Sequence, residues 1–176
     1  MVEYVSIGED VRIHPAAVIK YPQWAMLGSH IAIDIGVIIS TSIEVGDYVH
    51  IAPYVCVIGG QDGVLIMADF TNISAGSKIV CCGEDFTEGM LNPIVPVKYR
   101  KLVNKPVIME RFSAIGVNSV VLQGVRMAEG SVLGANSLLT KDTEPWTIYV
   151  GSPAKPIKKR DSELILKAYK ELGYEY

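Results

Sequence analysis

Six aliphatic residues, Met109, Ile115, Val121, Met127, Leu133 and Leu139, recur every six positions, and Ser113, Ser119, Val125, Ser131 and Ser137 stand two places before the last five. A spacing of six fits neither the 3.6-residue period of a helix nor a long strand of period two. It predicts a hexapeptide solenoid: each unit gives one short strand and one turn, and three units close one coil of a triangular prism. The same beat runs upstream through Ile7, Ile13 and Ile19. After a two-residue slip at Tyr21 to Trp24 it continues through Leu27, Ile33, Ile39, Val45, Ile51 and Val57. After a four-residue slip at Gly59-Gly60-Gln61-Asp62 it resumes with Met67, Ile73 and Ile79. All eighteen positions are Ile, Leu, Val or Met in a chain that is 49% hydrophobic, and no residue two places before them is charged. A β-sandwich does not hold one phase this long. Gly8, Gly28, Gly46, Ser74, Gly116 and Gly134 follow inward positions and are expected at corners that tolerate little side chain.

Eighteen hexads at three per coil give six coils, and rungs spaced ~4.8 Å make a prism roughly 29 Å long. The reading is one all-β domain: a parallel β-helix over 1–160 with an excursion loop at 80–106, then a short C-terminal helix and tail at 161–176. The loop begins and ends in one phase, because Ile79 and Met109 are thirty residues apart. A structureless run of that length inside a compact domain is usually functional or disordered. In the tail, Asp161 or Ser162 is the expected helix cap and Gly173 the stop. Leu164, Ile165, Ala168, Tyr169 and Leu172 form an apolar stripe expected to pack on the prism or on a neighbouring subunit. Flat faces carrying aliphatic side chains such as Val37, Ile38 and Tyr54 predict association with further copies.

A net charge of -3 and a pI near 5.6 argue against a nucleic-acid partner. Cys56, Cys81 and Cys82 form no CxxC pair, and an odd count with two adjacent members suits a reducing, cytoplasmic compartment. The chain enters the repeat at once and has no run near the roughly 18 apolar residues of a membrane span, so neither a signal peptide nor a membrane partner is expected. His14, His30 and His50 are sixteen and twenty residues apart. That spacing builds no H-x4-H pair, so zinc hydratase chemistry is not expected and no metal is assigned.

The hexads, the loop ending in Lys105-Pro106-Val107, and a closing run with Gly151-Ser152-Pro153-Ala154, similar to a G-N-P-A element, resemble the hexapeptide-repeat acyltransferases. The likeness is to galactoside and maltose O-acetyltransferases and to bacterial sugar acetyltransferases of surface-glycan synthesis. It implies a left-handed parallel β-helix, a homotrimer, and acetyl-CoA as co-substrate in the groove between neighbouring prisms, acting on a hydroxyl or amino group of a sugar. Gly116, Gly134, Ala135, Ser152 and Ala154 are candidates to flank the pantetheine arm. Lys141, Lys155 and Lys158 are candidates for the CoA phosphates, and Trp146 is expected to cap the prism. A non-catalytic scaffold is the alternative, against which the long polar loop and the CoA-type ending count.

In galactoside-type enzymes the catalytic histidine stands five places after the aliphatic residue leading into the loop; here that place is Glu84, followed by Asp85. Bacillosamine-type enzymes carry a His-Asp step before a V-H-I-A-P element. This chain has Val49-His50-Ile51-Ala52-Pro53 but Thr41-Ser42 at the His-Asp position. Glu84, Asp85 and His50 are therefore the candidates for base or proton relay, and Asn92, Tyr99 and Arg100 for acceptor binding. No nucleophile is flanked by a histidine, so direct transfer in a ternary complex is expected rather than an acyl-enzyme. Carboxylates are weak bases for a hydroxyl, whereas an amine is nucleophilic once it sheds one proton, which favours an amino sugar.

Overall fold

The chain winds as a left-handed parallel β-helix with three faces. This computed structural model describes residues 3–175; Met1 and Val2, where the chain was expected to enter the repeat, and Tyr176 lie outside the described residues. Face A stacks six strands, from Ser6–Ile7 to Arg126–Met127, and face C six, from Val18–Ile19 to Leu138–Leu139. Face B runs from Val11–Ile13 to Val132–Leu133 and then gains a seventh parallel rung, Thr147–Gly151, edged by the antiparallel strand Ala154–Lys159. The six coils expected from the hexad count are thus followed by part of a seventh. Tyr149 stands where an aliphatic residue would, in register with Leu133.

Strand register converts the hexad pattern into three inward columns of six. Ile7, Leu27, Val45, Met67, Met109 and Met127 align on face A. Ile13, Ile33, Ile51, Ile73, Ile115 and Leu133 align on face B, and Ile19, Ile39, Val57, Ile79, Val121 and Leu139 on face C. From the second coil on these are buried, whereas in the first coil Ile7 is 51% exposed, because no rung lies below it. Val37 is fully buried and belongs to this core, a correction to its expected place on an outer face; Ile38 and Tyr54 do point outward. Two serines in the later coils, Ser77 and Ser119, satisfy buried polar groups of the next coil. The Ser77 hydroxyl donates to the Gly116 carbonyl (3.0 Å) and accepts from the Ser119 amide (3.3 Å), and Ser119 repeats this with Gly134 (2.8 Å) and Ser137 (3.2 Å).

The glycines expected at corners are needed for coil-to-coil clearance: a Cβ on Gly28 would stand 2.7 Å from the Gly46 carbonyl carbon. The left-handed backbone falls a little further on, and on bulky residues. Along the edge between faces A and B, His30, Tyr48, Phe70, Phe112 and Trp146 all have φ between 50° and 61°, a region that costs an L-residue about 1–2 kcal/mol. Their rings point outward into one column, with centroid spacings of 4.5, 4.8, 5.6 and 5.9 Å, and ring contact of this kind offsets the backbone cost. Gly130 holds the corner between Phe112 and Trp146, and its missing side chain lets the indole lie over it.

The helix Glu163–Glu171 docks on that column. Asp161 accepts from the Glu163 amide (2.9 Å), Ser162 occupies the cap position without a side-chain bond, and Gly173 (φ 86°) ends the helix. Only part of the expected stripe packs. Tyr169 is buried edge-on to Phe112 and Phe70, while Leu164 is 77% exposed and Leu172 52%. The Tyr174 hydroxyl donates to Asp47 (3.0 Å). Burial among the rings, this bond and the Asp47 charge push the phenol up to about 12. The protonated phenol is thus the form the fold favours, so its contribution is whole below about pH 10 and is lost as pH rises toward the folded value. An ultraviolet titration is expected to show one tyrosine ionising late, and Tyr174→Phe is expected to remove that late phase. An unchanged titration in the variant would dismiss the contact. No described helix is long and apolar enough to cross a membrane.

Candidate active site

The excursion loop leaves the edge between faces C and A. Its base is a short antiparallel ladder, Cys82–Glu84 against Leu102–Asn104, before the chain rejoins face A at Val107–Met109. The Gly59-Gly60-Gln61-Asp62 slip lies on the same edge one coil earlier, since Val57 and Ile79 are paired neighbours. Loop base and slip enclose a cleft of about 480 Å³ lined by Ile58, Gly59 to Asp62, Cys82 to Glu84, Pro93, Arg100 and Leu102.

Inside it, Glu84 and Arg100 pair across the ladder. One Glu84 oxygen, Oε1, accepts from Arg100 Nε (2.8 Å) and Nη2, while Arg100 Nη1 donates to the Pro93 carbonyl (3.2 Å). The two side chains are only 15% and 14% exposed, and Glu84 Oε2 is sealed from solvent without a partner. The pair therefore pins the loop base, with both side chains on the wall of the cleft. Asp85 accepts from the Thr87 hydroxyl (2.6 Å) and amide (2.9 Å) and lies 3.8 Å from Lys101. The Thr87 bonds, with the Lys101 charge behind them, hold its carboxyl below the usual range, which makes it a weaker base than a free aspartate. Burial pushes the Cys81 thiol up to about 12. Cys82 is raised by burial and then by the Asp62 and Glu84 charges, with Arg100 opposing. Neither cysteine is a ready thiolate.

His50 sits elsewhere, on the outer side of face B. Its Nε2 meets Asp34 Oδ2 at 2.8 Å and its Nδ1 meets Asn72 Oδ1 at 3.1 Å, so both ring nitrogens are occupied. Within one prism, face B lies across the body from the loop edge, and His50 does not join Glu84 and Asp85. Among the loop candidates, Asn92 accepts from the Ile94 amide (2.9 Å) in a turn, and Tyr99 is exposed beneath Lys98 (4.8 Å). Arg100 is consumed by the ion pair. Among the described residues no group of three or more His, Cys, Asp or Glu is placed to hold a metal.

Lys141, Ala154 and Lys155 come together at the C-terminal end, lining a cavity of about 300 Å³ with Thr140, Tyr149 and Pro153. Ser152 lies in the exposed turn beside them, and Lys158 is paired opposite Ile148. Gly116, Gly134 and Ala135 stack on one edge. A Cβ on Gly116 would stand 2.6 Å from the Ala135 nitrogen and one on Gly134 2.7 Å from Val150 Cγ1, so coil stacking alone requires these glycines. Sequence reasoning did not find the slip as a wall of the cleft or Asp34 as the partner of His50. The signal for the first was present: both interruptions follow a face C hexad and so fall on one edge.

No family model matches the chain. It is 34% identical over 166 residues to a dTDP-4-amino-4,6-dideoxy-D-glucose acyltransferase of Escherichia coli, covering 92% of this chain and 85% of that protein. It is 33% identical over 125 residues to a putative lipopolysaccharide biosynthesis O-acetyl transferase of Escherichia coli, covering 70% and 61%. Among solved structures, a single-residue mutant of AntD, an N-acyltransferase from Bacillus cereus, in complex with dTDP-4-amino-4,6-dideoxyglucose and coenzyme A, superposes with a TM-score of 0.92 at 30% identity, over 97% of this chain and 91% of that one. A galactoside acetyltransferase in complex with coenzyme A is similar in fold alone, with a TM-score of 0.58 at 17% identity over 91% and 67%.

Proposed function

The chain belongs to the hexapeptide-repeat sugar acyltransferases, and from that premise we propose that it moves the acetyl group of acetyl-CoA onto the amine of a dTDP-linked amino-dideoxy sugar. The enzyme is an acyl-CoA-dependent sugar acetyltransferase. The amine is the finer reading, and the observation that carries it is the likeness over 97% of the chain, loop included, to an N-acyltransferase holding such a sugar. The side chains support it. Glu84 is paired, Asp85 is held low and His50 is occupied at both nitrogens, so none is poised to strip a hydroxyl. An amine with a pKa of roughly 8–10 already supplies a lone pair in part of its population. Its nitrogen bonds to the thioester carbonyl carbon, the carbon–sulfur bond breaks, and CoA leaves as the thiol with the proton the amine gives up.

In this reading Lys141, Lys155 and Lys158 hold the phosphate end of CoA. The acyl end reaches the loop base about two rungs, or roughly 10 Å, along the same edge. The partner is a second and third copy of the chain in a cyclic homotrimer. The outer column of face C carries Val18, Ile38 and Ile58, each more than 40% exposed, and a shared groove would bring His50 of a neighbouring prism toward the loop. The setting is cytoplasmic surface-glycan synthesis. The test is thiol release from acetyl-CoA with dTDP-4-amino-4,6-dideoxyglucose and with dTDP-6-deoxyglucose, alongside light scattering. A trimer mass, intersecting double-reciprocal lines and turnover with the amine alone are expected. Equal turnover with the hydroxyl sugar overturns the amine reading, and parallel lines overturn direct transfer.

A further inference from the structure

The cleft at the loop base contains three charged side chains, and two of them neutralise each other. Glu84 and Arg100 are locked together. That leaves Asp62, exposed on the slip corner, with no hydrogen bond or ion pair to any described residue. Its carboxylate is not on a loose turn. The Gly63 amide donates to the Gly59 carbonyl (3.1 Å), and Thr41 of the adjoining coil donates its hydroxyl to the Gly63 carbonyl. A Cβ on Gly59 would stand 2.5 Å from Thr41 Oγ1, and one on Gly63 would stand 2.6 Å from Gly59 Cα. Gly59 and Gly63 are thus needed to close this corner against Thr41, and the corner sets where the backbone carries Asp62 on the rim. The field it sets up reaches the far wall, since its charge helps raise the Cys82 thiol. With one uncompensated negative charge and apolar walls at Ile58, Pro93 and Leu102, the cleft suits a small cation on a weakly polar body and disfavours an anion.

We infer that Asp62 is the acceptor-binding residue that recognises the amine of the sugar, bound as the ammonium and shedding one proton to solvent before its nitrogen attacks, an inference that rests on the acyl-transfer reading above. Asp62 selects the amino sugar over its hydroxyl counterpart, and the Glu84–Arg100 pair positions the opposite wall without touching the amine.

Calorimetric binding and steady-state kinetics of wild type, Asp62→Asn and Asp62→Glu test this with dTDP-4-amino-4,6-dideoxyglucose and dTDP-6-deoxyglucose as probes. Wild type is expected to prefer the amine. Asp62→Asn should weaken amine binding roughly ten- to a hundredfold, the range for a hydrogen bond between charged groups. Binding of the hydroxyl sugar and KM for acetyl-CoA should stay within about twofold, with Asp62→Glu intermediate. Wild-type amine affinity in Asp62→Asn overturns the assignment, as does an equal loss for both sugars, which marks a structural role. A wild type without amine preference overturns it too. If wild type binds the amine preferentially but releases no thiol, the acyl-transfer reading falls while the Asp62 comparison still decides this one.

Discussion

Replacing Gly130 with valine is expected to lower the thermal midpoint by roughly 6–12 °C, about 3 kcal/mol at 2–4 °C per kcal/mol for a chain of this size. Two costs add. The corner has φ of 65°, and placing a β-branched residue there costs about 1–2 kcal/mol. The new Cβ would also stand 2.2 Å from Trp146 Cε3, so the indole must leave its 5.9 Å stack on Phe112. Arg160, which donates to the Gly130 carbonyl (3.0 Å) and lies over the Trp146 ring, is disturbed with it. Calorimetry at one fixed protein concentration is the measurement, because association shifts the midpoint by mass action. A midpoint within a degree of wild type would show that Trp146 is not seated over Gly130.

Removing the Arg100 charge acts on the loop instead of the prism. In Arg100→Met, Glu84 keeps a mostly buried carboxylate with no counter-charge, at a cost of about 2–4 kcal/mol, slightly below the range for fully buried pairs. The loop contributes little to the core, so the expected result is local. Amide exchange across 82–104 speeds by about a hundredfold and acetyl transfer falls by a similar factor, while the thermal midpoint moves by less than about 5 °C. The double variant Glu84→Gln/Arg100→Met should recover much of the protection, because it deletes the stranded charge as well. Protection in Arg100→Met equal to wild type would mean the ion pair does not hold the loop.

The prism was legible because its rule is local: one inward aliphatic residue per strand, repeated until three columns align. Where a residue's role depends on which coil lies above it, the chain text says little. The aromatic corner column joins residues 18 to 42 positions apart, such as His30 and Tyr48 or Phe70 and Phe112. Left-handed corners are ordinarily read from glycine, not from phenylalanine. The seventh rung was missed because Tyr149 is aromatic and stands sixteen residues after Leu133. The site follows the same division. The loop stood out as a long gap in the hexad pattern, and Lys141, Ala154 and Lys155 were grouped by motif. Glu84 was read as a candidate base because nothing in the sequence ties it to Arg100, sixteen residues on across a ladder without a turn signature. His50 and Asp34 are equally distant along the chain and meet only when their coils stack.

The ladder that closes the loop, with Cys82 opposite Asn104 and Glu84 opposite Leu102, separates two properties that most enzymes must change together. Residues inserted or deleted beyond it leave every rung of the solenoid in register, since the chain returns to face A from the same stem. The entropy of a flexible loop grows slowly, and doubling its length costs only about 0.6 kcal/mol. Descendants of this chain can therefore exchange the loop as a graftable cassette at nearly constant stability, with the prism inherited intact. The architecture is evolvable at one edge and conservative everywhere else.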